Sequence, residues 1–301
     1  MANIATISRT KEIINKYNLF IKKNYGQNFL IDLNILNNIV KSAGVTKDIN
    51  VIEIGPGIGS LTEVLLENAN KVMSYEIDNS LIPVLKNELS QFDNFTLINQ
   101  DFLKADVEED IKKYFNDDKD VYVISNLPYY ITTPIIMYIL EHLKGIKKCS
   151  FMMQKEVADR ITANRGGKDY NNLSIAVKYY AKATKVLNVS KHVFIPQPNV
   201  DSAVVLLEIY QEKQYQVIDE DAFFKLIRNS FANRRKTLIN NLNNAYHVSK
   251  EELEKVLRNI NILPTARAEE LEIEDFVQLE KELKKVLVGW FFWLKKKHML
   301  K

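Results

Sequence analysis

The chain has 301 residues, of which 46% are hydrophobic and 26% charged, and its net charge is +3, a profile typical of a soluble globular protein. One cysteine, Cys149, excludes a disulfide framework and a CxxC site, and four histidines lack ligand spacing, so we expect no metal. Without an apolar leader, and with the apolar run 286–294 too short to span a bilayer, we expect a cytoplasmic protein without membrane contact.

The charge is unevenly distributed along the chain. Residues 51–125 contain six Lys or Arg against fifteen Asp or Glu, whereas residues 126–215 contain twelve against seven. Residues 1–50 and 216–301 are also net positive. An anionic polymer would avoid the acidic block and follow the basic ones. This pattern favours a nucleic-acid partner, and the alternative is a set of solvated faces that segregate by chance.

The first predicted elements are two helices, over residues 9–20 and 32–43. Asp32 stands at the start of the second helix, and Gly44 follows its end. The segment between the helices, residues 22–30, contains two lysines, an aromatic residue and a Gln-Asn pair, and it suits phosphate or cofactor contacts. Residues 1–21 are interpreted as an N-terminal helical extension.

A strand, a glycine loop and a helix follow in direct succession. Strand 50–54 contains Glu53 and ends in a loop with three alternate glycines, and Ser60 is expected to cap the next helix. A dinucleotide fingerprint would place its third glycine at position 60, so this loop has a different spacing. Glycines let a backbone approach a ligand closely. With Glu53 beside it, the loop suits a cationic or amino-acid-bearing ligand better than a pyrophosphate, and its candidate residues are Gly55, Gly57 and Gly59.

The next two predicted strands are followed by acids. Strand 71–76 ends in Glu76, about 20 residues after the glycine loop begins, where a carboxylate can take both hydroxyls of a ribose. Strand 95–99 precedes Asp101, whose carboxylate is placed to accept a hydrogen bond from an adenine amino group. Alone, each acid also fits a solvated strand end. Their order along one sheet edge favours a nucleoside site.

The stretch Asn126-Leu127-Pro128-Tyr129 follows another predicted strand and precedes a helix that begins near Thr132. The Asn126 amide oxygen and the Leu127 carbonyl are two acceptors for the hydrogens of an exocyclic amine. The ring of Tyr129 is suited to stack on a base drawn out of its helix. A strand-to-helix turn with a packed tyrosine is the alternative. We predict that these four residues are catalytic and that Tyr129 also binds substrate.

A further aromatic residue, Phe194, opens an extended segment that is stiffened by two prolines. We predict that its ring walls the substrate pocket beside Tyr129. After residue 214 the pattern changes from strands to helices alone. Arg234 and Arg235 are predicted to lie on a helix over residues 221–241 and to bind substrate.

These changes in pattern define the predicted domains. They are the extension 1–21, a catalytic domain 22–214, a helical RNA- or ribosome-binding domain 215–287, and an aromatic and basic tail 288–301.

Several of these motifs together resemble those of the KsgA-type small-subunit ribosomal RNA adenine dimethyltransferases. The resemblance runs from about Lys22 to Lys285 and is specific because the motifs occur in the same order. The matching motifs are Gly26-Gln27-Asn28-Phe29-Leu30, Glu53-Ile54-Gly55-Pro56-Gly57-Ile58-Gly59, Glu76-Ile77-Asp78, Asp101-Phe102, Asn126-Leu127-Pro128-Tyr129, the segment 194–202, and Phe231-Ala232-Asn233-Arg234-Arg235-Lys236-Thr237-Leu238.

The resemblance implies an α/β fold, with a Rossmann-like S-adenosylmethionine-dependent methyltransferase sheet and a smaller all-α C-terminal domain. It implies that this cofactor is contacted at Asn28, Leu30, Gly55, Glu76, Asp101 and Asn126. The implied activity adds two methyl groups to each of two adjacent adenosines near the 3′ end of 16S rRNA, with a role in assembling the small ribosomal subunit. The chain departs from the family pattern at Tyr130, at Gly166-Gly167 and in its tail.

Three rival functions share parts of this pattern. A large-subunit rRNA adenine methyltransferase that confers antibiotic resistance has the glycine loop and an Asn-x-Pro-aromatic motif. Val200-Asp201-Ser202 and the arginine-rich segment favour the small-subunit enzyme. A non-catalytic RNA-binding assembly factor is the second rival, and the intact acids argue against it. A DNA adenine methyltransferase is disfavoured because the sequence has no separate base-reading domain.

Overall fold

A computed structural model describes residues 3–20 and 27–298, with side chains described as far as residue 287. The chain forms two compact units, one of residues 1–162 with 181–211 and one of residues 163–180 with 212–301. The segment 163–180, which contains a helix over residues 172–180, therefore belongs to the second unit, although it precedes the sequence boundary near residue 214. The predicted loop residues 22–26 and the side chains of the tail 288–301 lie outside this description.

The first unit alternates strands with helices. Its helices are α1 Ile7–Lys16, α2 Leu33–Ala43, α3 Ser60–Asn68, α4 Ile82–Glu88, α5 Val107–Tyr114, α6 Thr132–His142 and α7 Lys155–Ile161. Its strands are β1 Phe29–Leu30, β2 Ile49–Ile54, β3 Val72–Tyr75, β4 Phe95–Ile98, β5 Asp120–Asn126, β6 Ile146–Gln154, β7 Ala181–Val189, β8 Phe194–Ile195 and β9 Ser202–Ile209.

Seven of the described strands form one sheet, in the order β4-β3-β2-β5-β6-β9-β7. Neighbouring strands from β4 to β6 are parallel, and β9 is antiparallel to both β6 and β7. Every residue of β2 and β3 is buried, as expected for strands covered on both faces by helices. This arrangement is the Rossmann-like methyltransferase sheet that the resemblance implies.

A second, two-stranded sheet pairs β1 with β8, which are far apart in sequence. Phe29 lies opposite Ile195, and Leu30 lies opposite Phe194. The pairing fixes β1, and with it the described part of its motif, residues 27–30, beside the main sheet.

The second unit is helical in its described residues. It contains α8 Asn172–Tyr180, α9 Glu220–Ser230, α10 Leu238–Tyr246, α11 Lys250–Asn259 and α12 Ile273–His298. Phe223, Leu253 and Phe276 are fully buried in its core. Asp219 caps α9 by accepting a hydrogen bond from Ala222 N–H. The predicted continuous helix over 221–241 is wrong, because the chain leaves α9 after Ser230 and starts α10 only at Leu238.

Candidate functional site

A cavity of about 340 Å³ lies at the carboxyl ends of β2, β3, β4 and β5. This volume is within the range of pockets that hold a small molecule. Because these strands are neighbours, the residues that follow them converge on one space. Among its lining residues are Asn28, Leu30, Glu53, Gly55, Gly57, Glu76, Asp101, Asn126, Leu127, Pro128 and Tyr129.

The glycine loop is shaped by left-handed backbone at all three of its glycines, Gly55, Gly57 and Gly59. Gly57 has a φ of 61°, and a methyl group added there would lie 3.3 Å from Phe29 Cε1. Gly59 has a φ of 95° and is itself the N-cap of α3, so the prediction that Ser60 caps this helix is wrong. Gly59 is also absent from the cavity lining. Its place is behind the loop, where it packs against other side chains.

Glu53 is buried in β2 and lines the cavity. Its carboxylate accepts a hydrogen bond of 2.9 Å from Ser74 Oγ on the neighbouring strand. Burial raises the pKa of Glu53 to about 7, and the nearby Glu76 carboxylate adds to the shift. A cationic group in the cavity would favour the ionised form of this acid.

Glu76 connects the glycine loop to the end of β3. Its carboxylate accepts hydrogen bonds from the Gly57 N–H at 3.3 Å and from the Asp78 N–H at 2.8 Å. Burial raises the pKa of Glu76 to about 7 despite these two donors. The carboxylate is therefore held at a defined position in the cavity wall, where its remaining lone pairs can accept hydroxyl hydrogens.

The motif at the start of β1 is tied to two of the strand ends. Gln27 Nε2 donates to Asp78 Oδ2 at 2.9 Å, beyond β3. The Asn28 carbonyl accepts from Asn126 Nδ2 at 3.4 Å, at the end of β5. The N-terminal motif therefore closes one side of the cavity and orients the Asn126 amide, with its nitrogen towards Asn28.

Asp101 stands at the end of β4 and caps a short 3₁₀ turn by accepting from the Leu103 N–H at 3.1 Å. Lys104 Nζ lies 3.7 Å from its other oxygen, and most of the lysine side chain is exposed. The Asp101 side chain thus faces both the turn and the cavity, consistent with its predicted cofactor contact.

The Asn126–Tyr129 segment is anchored from three sides. The Leu127 N–H donates to the Met152 carbonyl at 3.0 Å. The Pro128 carbonyl accepts from Thr132 Oγ1 at 3.0 Å, where α6 begins as predicted. The Tyr129 hydroxyl lies 2.7 Å from Ser202 Oγ at the start of β9. Leu127 is buried, whereas Asn126, Pro128 and Tyr129 are partly exposed, and all four residues line the cavity.

Three residues predicted to bind substrate lie elsewhere. Phe194 is 3% exposed, belongs to the core, and does not line the cavity. Arg234 and Arg235 lie in the second unit, in the turn between α9 and α10. Arg234 Nε donates to Glu269 Oε2 at 2.7 Å, whereas Arg235 is exposed and no ion pair is described for it. The substrate roles of these residues remain predictions.

Sequence reasoning assigned no role to several residues that line the cavity. Tyr130 is 57% exposed and Ile77 is 47% exposed, so each places an apolar surface at the rim. Ile77 and Phe102 each follow a predicted acid directly within a family motif, and that position is the sequence signal for their place in the lining. Ser60 also lines the cavity, and its buried hydroxyl finds no hydrogen-bond partner among the described residues.

The charges of the lining select the kind of ligand. Among the described residues the lining contains three acids and no Lys, Arg or His. A pyrophosphate would be repelled by this lining, whereas a sulfonium or ammonium group would be attracted. The residues present therefore fit S-adenosylmethionine, and the unpartnered Ser60 hydroxyl supplies a further polar group.

The described part of the chain contains neither a cluster of metal-ligand side chains nor a membrane-spanning helix. No group of three or more His, Cys, Asp or Glu side chains is arranged to hold a metal ion within that part of the chain. None of the described helices is both long enough and apolar enough to cross a membrane.

The chain is similar in sequence to enzymes that modify ribosomal RNA. The profile described as "Ribosomal RNA adenine dimethylase" matches residues 18–285. The chain is 51% identical over 289 residues to "Ribosomal RNA small subunit methyltransferase A" of Bacillus licheniformis, covering 95% of this chain and 99% of that relative. The protein of the same description from Bacillus pumilus is 51% identical over 288 residues, with the same coverage of both chains.

Two solved structures share the fold. A dimethyladenosine transferase from Plasmodium falciparum superposes with a TM-score of 0.72 at 30% identity, covering 85% of this chain and 97% of that one. The 23S rRNA methyltransferase ErmE superposes with a TM-score of 0.66 at 26% identity, covering 85% of this chain and 100% of that one.

Proposed function

We propose that the cavity at the four strand ends is the methyl-transfer site of this protein, since the chain belongs to the ribosomal RNA adenine dimethylase family. The enzyme is an S-adenosylmethionine-dependent rRNA adenine dimethyltransferase acting on the small subunit. One observation carries the assignment of the site: Glu53, Glu76, Asp101 and Asn126 all line one cavity.

The cofactor is proposed to lie along these strand ends. Asn28, Leu30, Gly55 and Gly57 would supply the loops around it, and Gly59 would support the loop from behind. Glu76 would accept the ribose hydroxyls, Asp101 the adenine amino group, and Glu53 would compensate the positive charge of the ligand. When bound, S-adenosylmethionine supplies an electrophilic methyl group on a sulfonium sulfur.

The Asn126–Tyr129 segment is proposed to hold the target base. The N6 amine is a poor nucleophile because its lone pair is delocalised into the ring. The Asn126 amide oxygen and the Leu127 carbonyl would accept its hydrogens and direct the lone pair towards the methyl group. The same two dipoles stabilise the positive charge that develops on nitrogen. Positioning supplies much of the remainder, so we propose that no side-chain base or metal takes part.

The aromatic residues are proposed to fix the base in place. The ring of Tyr129 would stack on the extruded adenine, with its hydroxyl held by Ser202. The pocket must also admit N6-monomethyladenine for the second transfer, so close packing around the nitrogen is not expected. We propose that the two adjacent target adenosines lie near the 3′ end of 16S rRNA. We also propose that Arg235 and its neighbours bind the RNA backbone.

The large-subunit alternative is less favoured because of the degree of similarity. ErmE, whose description names 23S rRNA, is 26% identical, whereas the small-subunit relatives reach 51%. In addition, we propose a cytoplasmic location and a role in the biogenesis of the small ribosomal subunit.

The experiment that tests the proposal compares isolated small and large ribosomal subunits from a strain that lacks the modification. Each is incubated with the protein and methyl-labelled cofactor, and the labelled rRNA fragment is identified by mass spectrometry. We expect label in small subunits only, as two dimethyladenosines in adjacent positions. Label in the large subunit would support the alternative enzyme, and no label despite cofactor binding would support an assembly factor.

A further inference from the structure

The N-terminal segment, residues 3–17, packs on the helices that flank the glycine loop. Thr10 and Ile13 on one face of α1 are fully buried, and Ile4 and Ala5 before the helix are nearly so. Thr6 caps α1 by accepting from the Arg9 N–H. The segment is therefore part of the core of the first unit rather than an appended extension.

The segment is joined to α4 through one buried acid, Glu88. The Glu88 side chain is 3% exposed, and Arg9, Lys16 and Tyr17 all contact its carboxylate. Lys16 Nζ lies at 2.8 Å and the Tyr17 hydroxyl at 2.9 Å. Burial alone would raise the pKa of Glu88, but its partners outweigh this effect and lower it below the ordinary value. We call these four side chains the Glu88 cluster.

The same segment also approaches the back of the glycine loop. A methyl group added to Gly59 would lie 3.2 Å from Leu89 Cδ1, 3.4 Å from Leu85 Cδ2 and 3.5 Å from Ile4 Cδ1. Leu85 and Leu89 flank Glu88 in sequence. The Ile4 N–H donates to Glu63 Oε2 in the first turn of α3 at 2.8 Å. The start of α3 is therefore held between α4 and the N-terminal segment.

We infer that residues 3–17 are a positioning element of the cofactor site, and that the Glu88 cluster is the contact that holds it. The inference rests on the proposed function, because it assumes that the cavity binds S-adenosylmethionine. With the cluster intact, Ile4 supports Gly59, and the Gly55–Gly59 loop keeps the shape in which Gly57 bonds to Glu76. When the cluster is broken, the loop samples other shapes and cofactor binding is weakened.

The test uses the full-length protein and two independent variants. Glu88→Gln removes the charge that the three partners share, and Ile4→Ala shortens the side chain that lies behind Gly59 without touching the cluster. Arg160→Gln is the matched control, since it breaks an exposed ion pair with Glu156 in the same unit. Binding of S-adenosylhomocysteine is measured by calorimetry well below the melting temperature of each variant, and amide hydrogen exchange is followed over residues 55–63.

We expect both variants to bind the ligand at least about fivefold more weakly, the low end of coupling between sites. We also expect faster exchange at residues 57–63, with kcat at saturating cofactor close to wild type, and no change for Arg160→Gln. Arg9→Met should lose affinity, and Arg9→Lys should keep most of it. This pair of variants replaces Glu88→Gln in the test if Glu88→Gln does not fold. Lower melting temperatures with unchanged affinity and exchange would overturn the inference. If the wild-type protein itself fails to bind the ligand, the proposed function fails instead.

Discussion

The hydroxyl of Tyr129 lies 2.7 Å from that of Ser202, so the aromatic residue of the proposed base-binding segment is fixed by a strand far away in sequence. Tyr129 is partly buried, and burial raises the pKa of its hydroxyl, which stays protonated. The ring is held by its own hydroxyl at one end and by the backbone at the other. This geometry leads to the first prediction.

Removing the hydroxyl contact should reduce methyl transfer less than removing the ring. Ser202→Ala and Tyr129→Phe should each lower kcat by about fivefold, the value of one ordinary hydrogen bond. Tyr129→Ala should lower it much further because the stacking face is lost. Single-turnover assays on small subunits measure the rates. Equal losses for Tyr129→Phe and Tyr129→Ala would contradict a stacking role.

Asn126→Ala should lower kcat by about 10²- to 10³-fold, the effect of removing one dipole that stabilises transition-state charge. The Kd for S-adenosylhomocysteine should change only a few-fold, because the other strand ends still hold the ligand. Asn68→Ala is the control, since its amide bonds to the Val64 carbonyl away from the cavity. If Asn126→Ala methylates small subunits at the wild-type rate, the proposed role of this residue is wrong.

Cofactor binding should depend on pH near neutrality. The pKa values of Glu53 and Glu76 are both raised to about 7, so each acid is partly protonated at neutral pH. A cationic ligand favours the ionised forms, so affinity should rise between about pH 6 and about pH 8 and binding should release protons. Calorimetry in buffers with different ionisation enthalpies measures the release. Glu76→Gln should flatten the profile, and a flat wild-type profile would exclude this coupling.

The same raised pKa values affect the stability of the free protein in the opposite direction, so that stability falls as the pH rises. An acid whose folded pKa lies above its unfolded value binds more protons in the folded state. The contribution of Glu53 and Glu76 to stability therefore decreases as pH rises from 4.5 to about 7. Glu53→Gln should reduce this decline, which denaturant unfolding at several pH values measures. A decline of wild-type size in the variant would assign the pH effect to other groups.

Substitutions at Gly59 and Gly145 separate two costs to the free energy of unfolding, namely the strain of left-handed backbone and the crowding of an added side chain. Both have positive φ, of 95° and 79°, but only the methyl group added at Gly59 would meet neighbours. Gly145→Ala should cost about 1 kcal/mol for the left-handed backbone alone. Gly59→Ala should cost more, since Leu89 has to move. The free energies of unfolding from urea titrations give the comparison, and equal costs would show that the packing behind the loop is easily displaced.

Arg234 and Arg235 should differ in their effect on RNA binding. Arg234 already pairs with Glu269 and lies 3.4 Å from the Gly167 carbonyl, whereas Arg235 is exposed. Arg235→Gln should reduce the slope of log affinity against log salt by about one for an rRNA fragment. Arg234→Gln should reduce the slope by less than Arg235→Gln, because Glu269 already pairs with this arginine, and it should also lower the melting temperature. An equal reduction for the two variants would contradict this difference.

The sequence alone determined the local parts of this protein. The buried strands, the glycine loop, the acids after β3 and β4 and the Asn126–Tyr129 segment are all visible in periodicity, punctuation and order. These features depend on neighbouring residues, because strand pattern and turn chemistry are set within a few positions. The motifs therefore identified the family and eleven of the residues that line the cavity before any fold was known.

Only the tertiary structure decided which of these parts meet. The strand order β4-β3-β2-β5 places three acids and one amide from four strand ends in one cavity, while Phe194 goes into the core and Gly59 behind the loop. The Glu88 cluster also joins segments far apart in the chain. Residues 163–180 likewise belong to one unit with residues 212–301, from which they are separated in sequence. Such contacts depend on how whole elements bury their apolar faces together, and no local pattern encodes that choice.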